Sequence, residues 1–220
     1  MQLPPASAPL FDFRLTDANC LTLDLSAQND ALKSVHSSAT LAAYIEGLLQ
    51  EKGKSYAIGG YAEKRVIYQR FTHFNSDPAT ERNIHLGVDV WAPALSLVYA
   101  PANAVIHSFA YNDNPGDYGG TIILEHSATG QKYYTLHGHL SKSSLQNIAV
   151  AQNIKAGEHF AYLGAEAENG GWPPHLHFQL IKDIGDFKGD FPGVAKESEK
   201  AYYLSNCPDP IIYLGLDKIG

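Results

Sequence analysis

The clearest periodicity in the chain runs from residue 41 to residue 49. Leu41, Tyr44, Ile45, Leu48 and Leu49 recur at i, i+3, i+4, i+7 and i+8, which lines one face of a helix with apolar side chains. Ser38 or Thr40 can cap its start, and Gly53 follows its end. Upstream, Leu21, Leu23 and Leu25 alternate with Thr22 and Asp24, the two-residue period of a short strand. From about residue 65 the pattern changes to short apolar runs between turn residues, at 65–69, 104–109, 121–126, 132–136, 160–163 and 175–180. Ser127-Ala128-Thr129-Gly130 joins two of these runs as a hairpin, and 112–120 is rich in turn formers. Strands at this spacing predict a mainly β fold, an antiparallel β-sheet core with one N-terminal helix. The tail from 183 is looser and ends in apolar Ile211-Ile212-Tyr213-Leu214. No repeat of 20–50 residues and no low-complexity linker interrupts the chain.

Composition narrows the function classes. With 220 residues, 45% hydrophobic and 18% charged, the chain can bury one sizeable core and is not of disordered type. Sixteen Lys+Arg against 23 Asp+Glu give a net charge of -7, without the basic surplus that nucleic-acid binding requires. No apolar run approaches the roughly 20 residues of a membrane span. The start, MQLPPASAPLFDFRL, lacks the basic and apolar regions of a secretory signal, so a cytoplasmic location is expected, or an extracellular one if a leader has been trimmed away. Cys20 and Cys207 are too few for a disulfide framework and are expected to be reduced, packed thiols.

The chemistry lies in ten histidines. Two His-x-x-x-Asp pairs, His73…Asp77 and His85…Asp89, accompany two His-x-His pairs, His137-Gly138-His139 and His175-Leu176-His177. Zinc takes imidazole and carboxylate ligands, and catalytic sites use three of them and leave a position open. Spacing alone is weak, because a lone histidine is more often a surface or satisfied core residue than a ligand. Context strengthens two pairs. Residues i and i+2 of a strand face one side, so His175 and His177 point together from an apolar strand, where two imidazoles are costly to bury without a metal or an acid. His85 and Asp89 are also isofacial in an extended chain, with Gly87 permitting close backbone approach. His73…Asp77 sits in the turn Phe74-Asn75-Ser76-Asp77-Pro78 and is not expected to hold a metal. His107 and His126 read as structural, and His36 and His159 carry no signal.

These residues resemble a known family. His85-Leu86-Gly87-Val88-Asp89, followed by Ala92-Pro93-Ala94 and Val98-Tyr99-Ala100-Pro101, is similar to the first metal motif of the lysostaphin/LytM-type zinc metallopeptidases. Leu136-His137-Gly138-His139-Leu140-Ser141 resembles the middle motif, Pro174-His175-Leu176-His177-Phe178 the closing one, and Gly157 and Gly164 the glycine pattern between them. The resemblance covers roughly residues 65–182. It implies a sheet with a groove and a Zn²⁺ ion held by His85, Asp89 and His177. His139 and His175 would stand beside the ion as general base or transition-state stabilisers. His137 departs from the aromatic residue usual there and is expected to be an outward neighbour. The implied division is an N-terminal extension with one helix, 1–64, the metallopeptidase domain, 65–182, and a C-terminal tail packed on that domain, 183–220.

The implied reaction is metal-assisted hydrolysis of an amide in a peptide or muropeptide-like substrate. No His-Glu-x-x-His motif is present, so the proton would go to His139 or His175. Trp172, Tyr118 and Tyr133 either line the groove or belong to the core. The flanks 168–174 and 207–210 resemble a cytoplasmic branch of the family, in which the domain can be fused to an aminotransferase and the substrate would be a small amide or a recycled wall peptide. Two other readings stay open: a zinc hydrolase of a non-wall small amide, and a catalytically silent binding domain. Silent relatives usually lose metal ligands, whereas all five positions are occupied here.

Overall fold

The computed structural model describes residues 3–70, 81–217 and 219. The pair His73…Asp77 lies outside them. The strands are β1 (Cys20–Leu23), β2 (Tyr56–Gly59), β3 (Arg82–His85), β4 (Val88–Trp91), β5 (Leu97–Tyr99), β6 (Ala104–Asn112), β7 (Gly119–Ala128), β8 (Gln131–Leu140), β9 (Asn153–Ile154), β10 (His159–Tyr162), β11 (His175–Ile181) and β12 (Val194–Lys196). The helices are α1 (Ser38–Lys52), α2 (Lys200–Asn206) and α3 (Pro210–Leu214). The expected mainly β fold with an N-terminal helix is what the chain adopts.

Eight strands form one sheet in the order β1-β2-β4-β11-β8-β7-β6-β9, and β10-β5 and β12-β3 form two small ribbons. The pairing is antiparallel except between β1 and β2, which run parallel. That exception follows from connectivity: α1 lies between them in sequence, and only a crossover of this kind lets neighbouring strands share a direction. The hairpin at Thr129-Gly130 joins β7 and β8, which are longer than the apolar runs suggested.

Alternation along the two central strands separates core from chemistry. Val88 and Val90 of β4, with Leu176 and Phe178 of β11, enter the main hydrophobic cluster. Asp89 and Trp91, with His175 and His177, take the opposite face. On that side α1 buries Leu41 and Ile45 against Leu23, Leu25, Trp91 and Trp172. Each such side chain is worth about 1.5–3 kcal/mol. The cap of α1 falls one residue earlier than expected. Ser37 accepts from Thr40 N at 3.1 Å, and the Thr40 hydroxyl accepts from Ser37 N at 2.9 Å. Gly53 closes the helix at φ 63°. No helix among the described residues is long and apolar enough to cross a membrane.

Two expectations need correction. Residues 65–69 are not a strand: Ile67–Arg70 is a 3-10 turn. Ile67 and Tyr68 are consecutive and both buried while Val66 is exposed, which a two-residue alternation cannot produce. The tail is not loose. Asp209 caps α3 by accepting from Ile211 N at 2.8 Å, and Pro210 and Tyr213 are buried. Both cysteines are free and buried.

Candidate metal centre

His85 ends β3, and the chain bends at Leu86-Gly87 before Asp89 enters β4. The two are therefore brought together by a bend, not by one extended strand as the spacing suggested. His177 of β11 stands directly opposite Asp89 in the antiparallel register. Gly87 is required for this approach: a Cβ there would lie 2.6 Å from Phe178 O and 2.8 Å from His177 Nε2. His85 Nε2, Asp89 Oδ1 and His177 Nδ1 converge with separations of 3.0, 3.1 and 3.2 Å. Ligands 2.0–2.1 Å from a tetrahedral zinc ion are about 3.3 Å apart, so the triangle is the size of one face of such a shell.

The surrounding hydrogen bonds strip these donors of protons. His85 Nδ1 lies 2.9 Å from Gly60 O, a carbonyl that can only accept, so Nδ1 carries the hydrogen and Nε2 presents a lone pair. Gln179 Nε2 donates to Pro192 O at 3.1 Å, which turns its Oε1 toward His177 Nε2 at 2.9 Å. His177 Nε2 must then donate, and its Nδ1 is bare. Three lone pairs thus face one another in a buried site. A single proton could bridge only two of them, whereas a divalent cation engages all three. Carbonyl and amide partners that fix imidazole tautomers in this way are a recurrent feature of metal sites. The donor set of two imidazoles and one carboxylate fits zinc. Among the described residues, His85, Asp89 and His177 form a group able to hold a metal ion.

His139 and His175 stand beside the triangle with the same logic. His139 Nδ1 donates to Asn169 O and His175 Nδ1 to Pro173 O, both at 2.7 Å, leaving each Nε2 bare. His175 Nε2 is 3.8 Å from Asp89 Oδ1, and the rings of His139 and His175 are 4.2 Å apart. His139 reaches this face by a backbone kink, because its φ is +61°. Regular alternation would have placed it with His137. His137 instead pairs with Phe178 in the register and is buried between Phe160 and Phe178 in the main core. It is therefore an inward residue, not the outward neighbour expected.

Electrostatics keep the site proton-poor. Burial pushes His85 down to about 4, helped by Arg65 and partly opposed by Asp89. Burial likewise lowers His139, reinforced by His175, and lowers His175 against the pull of Asp89. For Asp89, burial alone would raise the carboxyl, but His85 and Arg65 outweigh it and hold the group well below the usual carboxylate range. Arg65 Nη1 meets Asp89 Oδ2 at 2.5 Å, and Arg65 Nε meets Glu63 Oε2 at 2.6 Å.

A cavity of about 200 Å³ opens onto Asp89, His139, His175 and His177. Tyr118 and Trp172 line it, as do Leu25, Leu41 and Tyr68 from the N-terminal part of the chain. Tyr133 does not: it is buried in the main cluster, stacked on His126. Sequence reasoning missed Arg65, Glu63 and Gln179. Gln179 had a signal, being one further i+2 step from His177 on an apolar strand; Arg65 had none.

Residues 83–188 match peptidase family M23. A peptidoglycan DD-endopeptidase of Vibrio cholerae, ShyC, is 26% identical over 118 residues, which cover 53% of this chain and 25% of that protein. The chain thus spans about a quarter of the length of that relative. Among solved structures, the catalytic domain of lysostaphin from Staphylococcus simulans is similar at 25% identity and a TM-score of 0.42, covering 60% of this chain and 80% of that one. LytU is similar at 22% identity and a TM-score of 0.43, covering 65% and 79%. A zinc-containing peptidase from Vibrio cholerae has 26% identity and a TM-score of 0.38, covering 53% and 34%.

Proposed function

We propose that the chain, whose residues 83–188 match peptidase family M23, is a zinc-dependent hydrolase of peptide bonds, acting on a peptidoglycan-type peptide. The single observation that carries this reading is the meeting of three ligand atoms, His85 Nε2, Asp89 Oδ1 and His177 Nδ1, within 3.2 Å of one another. In this reading residues 1–64 and 183–220 pack around a metallopeptidase domain of residues 65–182.

A zinc ion held by these three side chains would supply Lewis acidity toward the scissile carbonyl and toward the attacking water. The rest is the work of this chain's own groups. His139 Nε2 and His175 Nε2 carry lone pairs, and their Nδ1–H groups are anchored on backbone carbonyls. One of them accepts the proton that water loses as its oxygen bonds to the carbonyl carbon. The same proton then passes to the departing amine nitrogen as the C–N bond breaks. With the rings only 4.2 Å apart, a second proton on the pair is disfavoured, so the two act as one base. Trp172 and Tyr118 wall the cavity beside these two histidines.

A second reading, a hydrolase of small non-wall amides, is favoured by one observation. Leu25, Leu41 and Tyr68, all outside residues 83–188, help enclose the modest cavity. Assay of purified, zinc-loaded protein on soluble glycyl peptides, muropeptides, non-peptide amides and intact wall polymer separates the two. Cleavage of the peptides, with loss of turnover but not of zinc in His139→Ala, supports the proposal. Cleavage confined to non-peptide amides moves the substrate to the second reading. A zinc-loaded protein inert on every substrate would contradict both and favour a silent binding domain.

A further inference from the structure

In the zinc-binding reading, on which this inference rests, Asp89 is a ligand through Oδ1. Its other oxygen is already engaged, because Oδ2 accepts from Arg65 Nη1 at 2.5 Å. The guanidinium is gripped from several sides. Its Nε donates to Glu63 Oε2 at 2.6 Å, Nη1 to the Tyr68 hydroxyl at 3.2 Å and Nη2 to Gly60 O at 3.4 Å. Glu63 is tied down in turn, since its Oε1 accepts from Leu25 N at 2.9 Å. Gly60 O also receives the Nδ1–H of His85. One stretch of chain, residues 60–68, therefore fixes two of the three converging donors, and it lies wholly outside the matched residues 83–188.

We propose that Arg65 is a positioning residue which, anchored by Glu63, confines Asp89 to a single donor oxygen and so keeps the centre at low coordination number. Carboxylates bind metals through one oxygen or two, and an unrestrained Asp89 could turn both toward the ion. Here that rotation would take Oδ2 away from a buried cation. Glu63 offsets the charge of Arg65, so the pair constrains the geometry of Asp89 while adding no net charge to the centre. A site limited to three protein donor atoms keeps the open position that hydrolysis needs.

The test uses the full chain loaded with cobalt(II), whose visible bands weaken as coordination number rises, together with zinc affinity by chelator competition. Arg65→Gln, folded by circular dichroism, is expected to lose intensity in those bands and to bind zinc about 10–100-fold more weakly. Arg65→Lys, which keeps a cation for Oδ2, is expected to restore most of the spectrum. A folded Arg65→Gln with the unaltered chain's spectrum and zinc affinity would overturn the proposal. Should Arg65→Gln not fold, Glu63→Gln decides: weakened cobalt bands support it, and an unaltered spectrum overturns it. If the unaltered chain takes up neither metal, the zinc reading itself fails, an outcome distinct from normal loading with no effect of the substitutions.

Discussion

His137 offers the sharpest test of how the histidines are divided. It is fully buried, and neither ring nitrogen has a hydrogen-bond partner among the described residues. Burial drives its pKa from 6.5 down to about 3, with His126 adding to the effect; the carbonyls of Ile122 and Thr135 pull it back only in part, without hydrogen-bond geometry. Leaving a buried polar group unpaired costs about 1–3 kcal/mol. His137→Leu, close in volume and seated against Phe160 and Phe178, should therefore stabilise the protein by about 1–3 kcal/mol at pH 7. The pH dependence supplies the signature. The folded pKa is depressed, so the unfolded chain binds the proton first, and the stability present above pH 6.5 is lost as pH falls toward 3. At pH 5 the loss from this group is about 2 kcal/mol, from 1.36 kcal/mol per pH unit over 1.5 units. Leucine removes that loss, so its advantage should grow from pH 7 to pH 5. Urea unfolding at the two pH values measures it. Zinc content and turnover should not change, because His137 faces away from His139. A destabilised variant, or an advantage that does not grow with acid, would refute this reasoning.

Other perturbations probe the remaining contacts. Gly87→Ala would place a methyl 2.6 Å from Phe178 O and 2.8 Å from His177 Nε2, and should weaken zinc binding about 10–100-fold in a protein that still unfolds cooperatively. Unchanged affinity by chelator competition would contradict the close approach. Trp172→Ala should lower turnover with zinc retained, whereas Tyr133→Phe, which removes only a 3.3 Å contact to Tyr213, should cost about 1 kcal/mol of stability and leave turnover intact. Ser37→Ala should lower stability by about 1 kcal/mol through loss of the α1 cap, measured by thermal melting.

The trio His85, Asp89 and His177 was legible through motifs that resemble a known metallopeptidase family, whereas strand periodicity alone missed the bend at Leu86-Gly87 that brings His85 to Asp89. His175 and His177 share a face as two-residue alternation demands. The same rule fails at His137 and His139, because a positive φ at one histidine is not encoded by any pattern of neighbours. Arg65 was hidden for another reason. Within Glu63-Lys64-Arg65 nothing separates a solvated charge run from a buried ion pair until β4 arrives with Asp89. The short helices α2 and α3 escaped notice because one or two turns carry too little periodicity to stand out. The parallel pairing of β1 with β2 depends on where α1 packs, a tertiary fact.

In the zinc-binding reading, two imidazoles and one carboxylate from β3, β4 and β11 hold a single zinc ion. Metal analysis combined with a crystallographic anomalous map at the zinc edge tests it most directly. One zinc per chain is expected, bound by His85 Nε2, Asp89 Oδ1 and His177 Nδ1 at about 2.0–2.2 Å, with His139 and His175 outside bonding distance. A zinc-free protein under saturating metal, or an ion bound elsewhere, would contradict it.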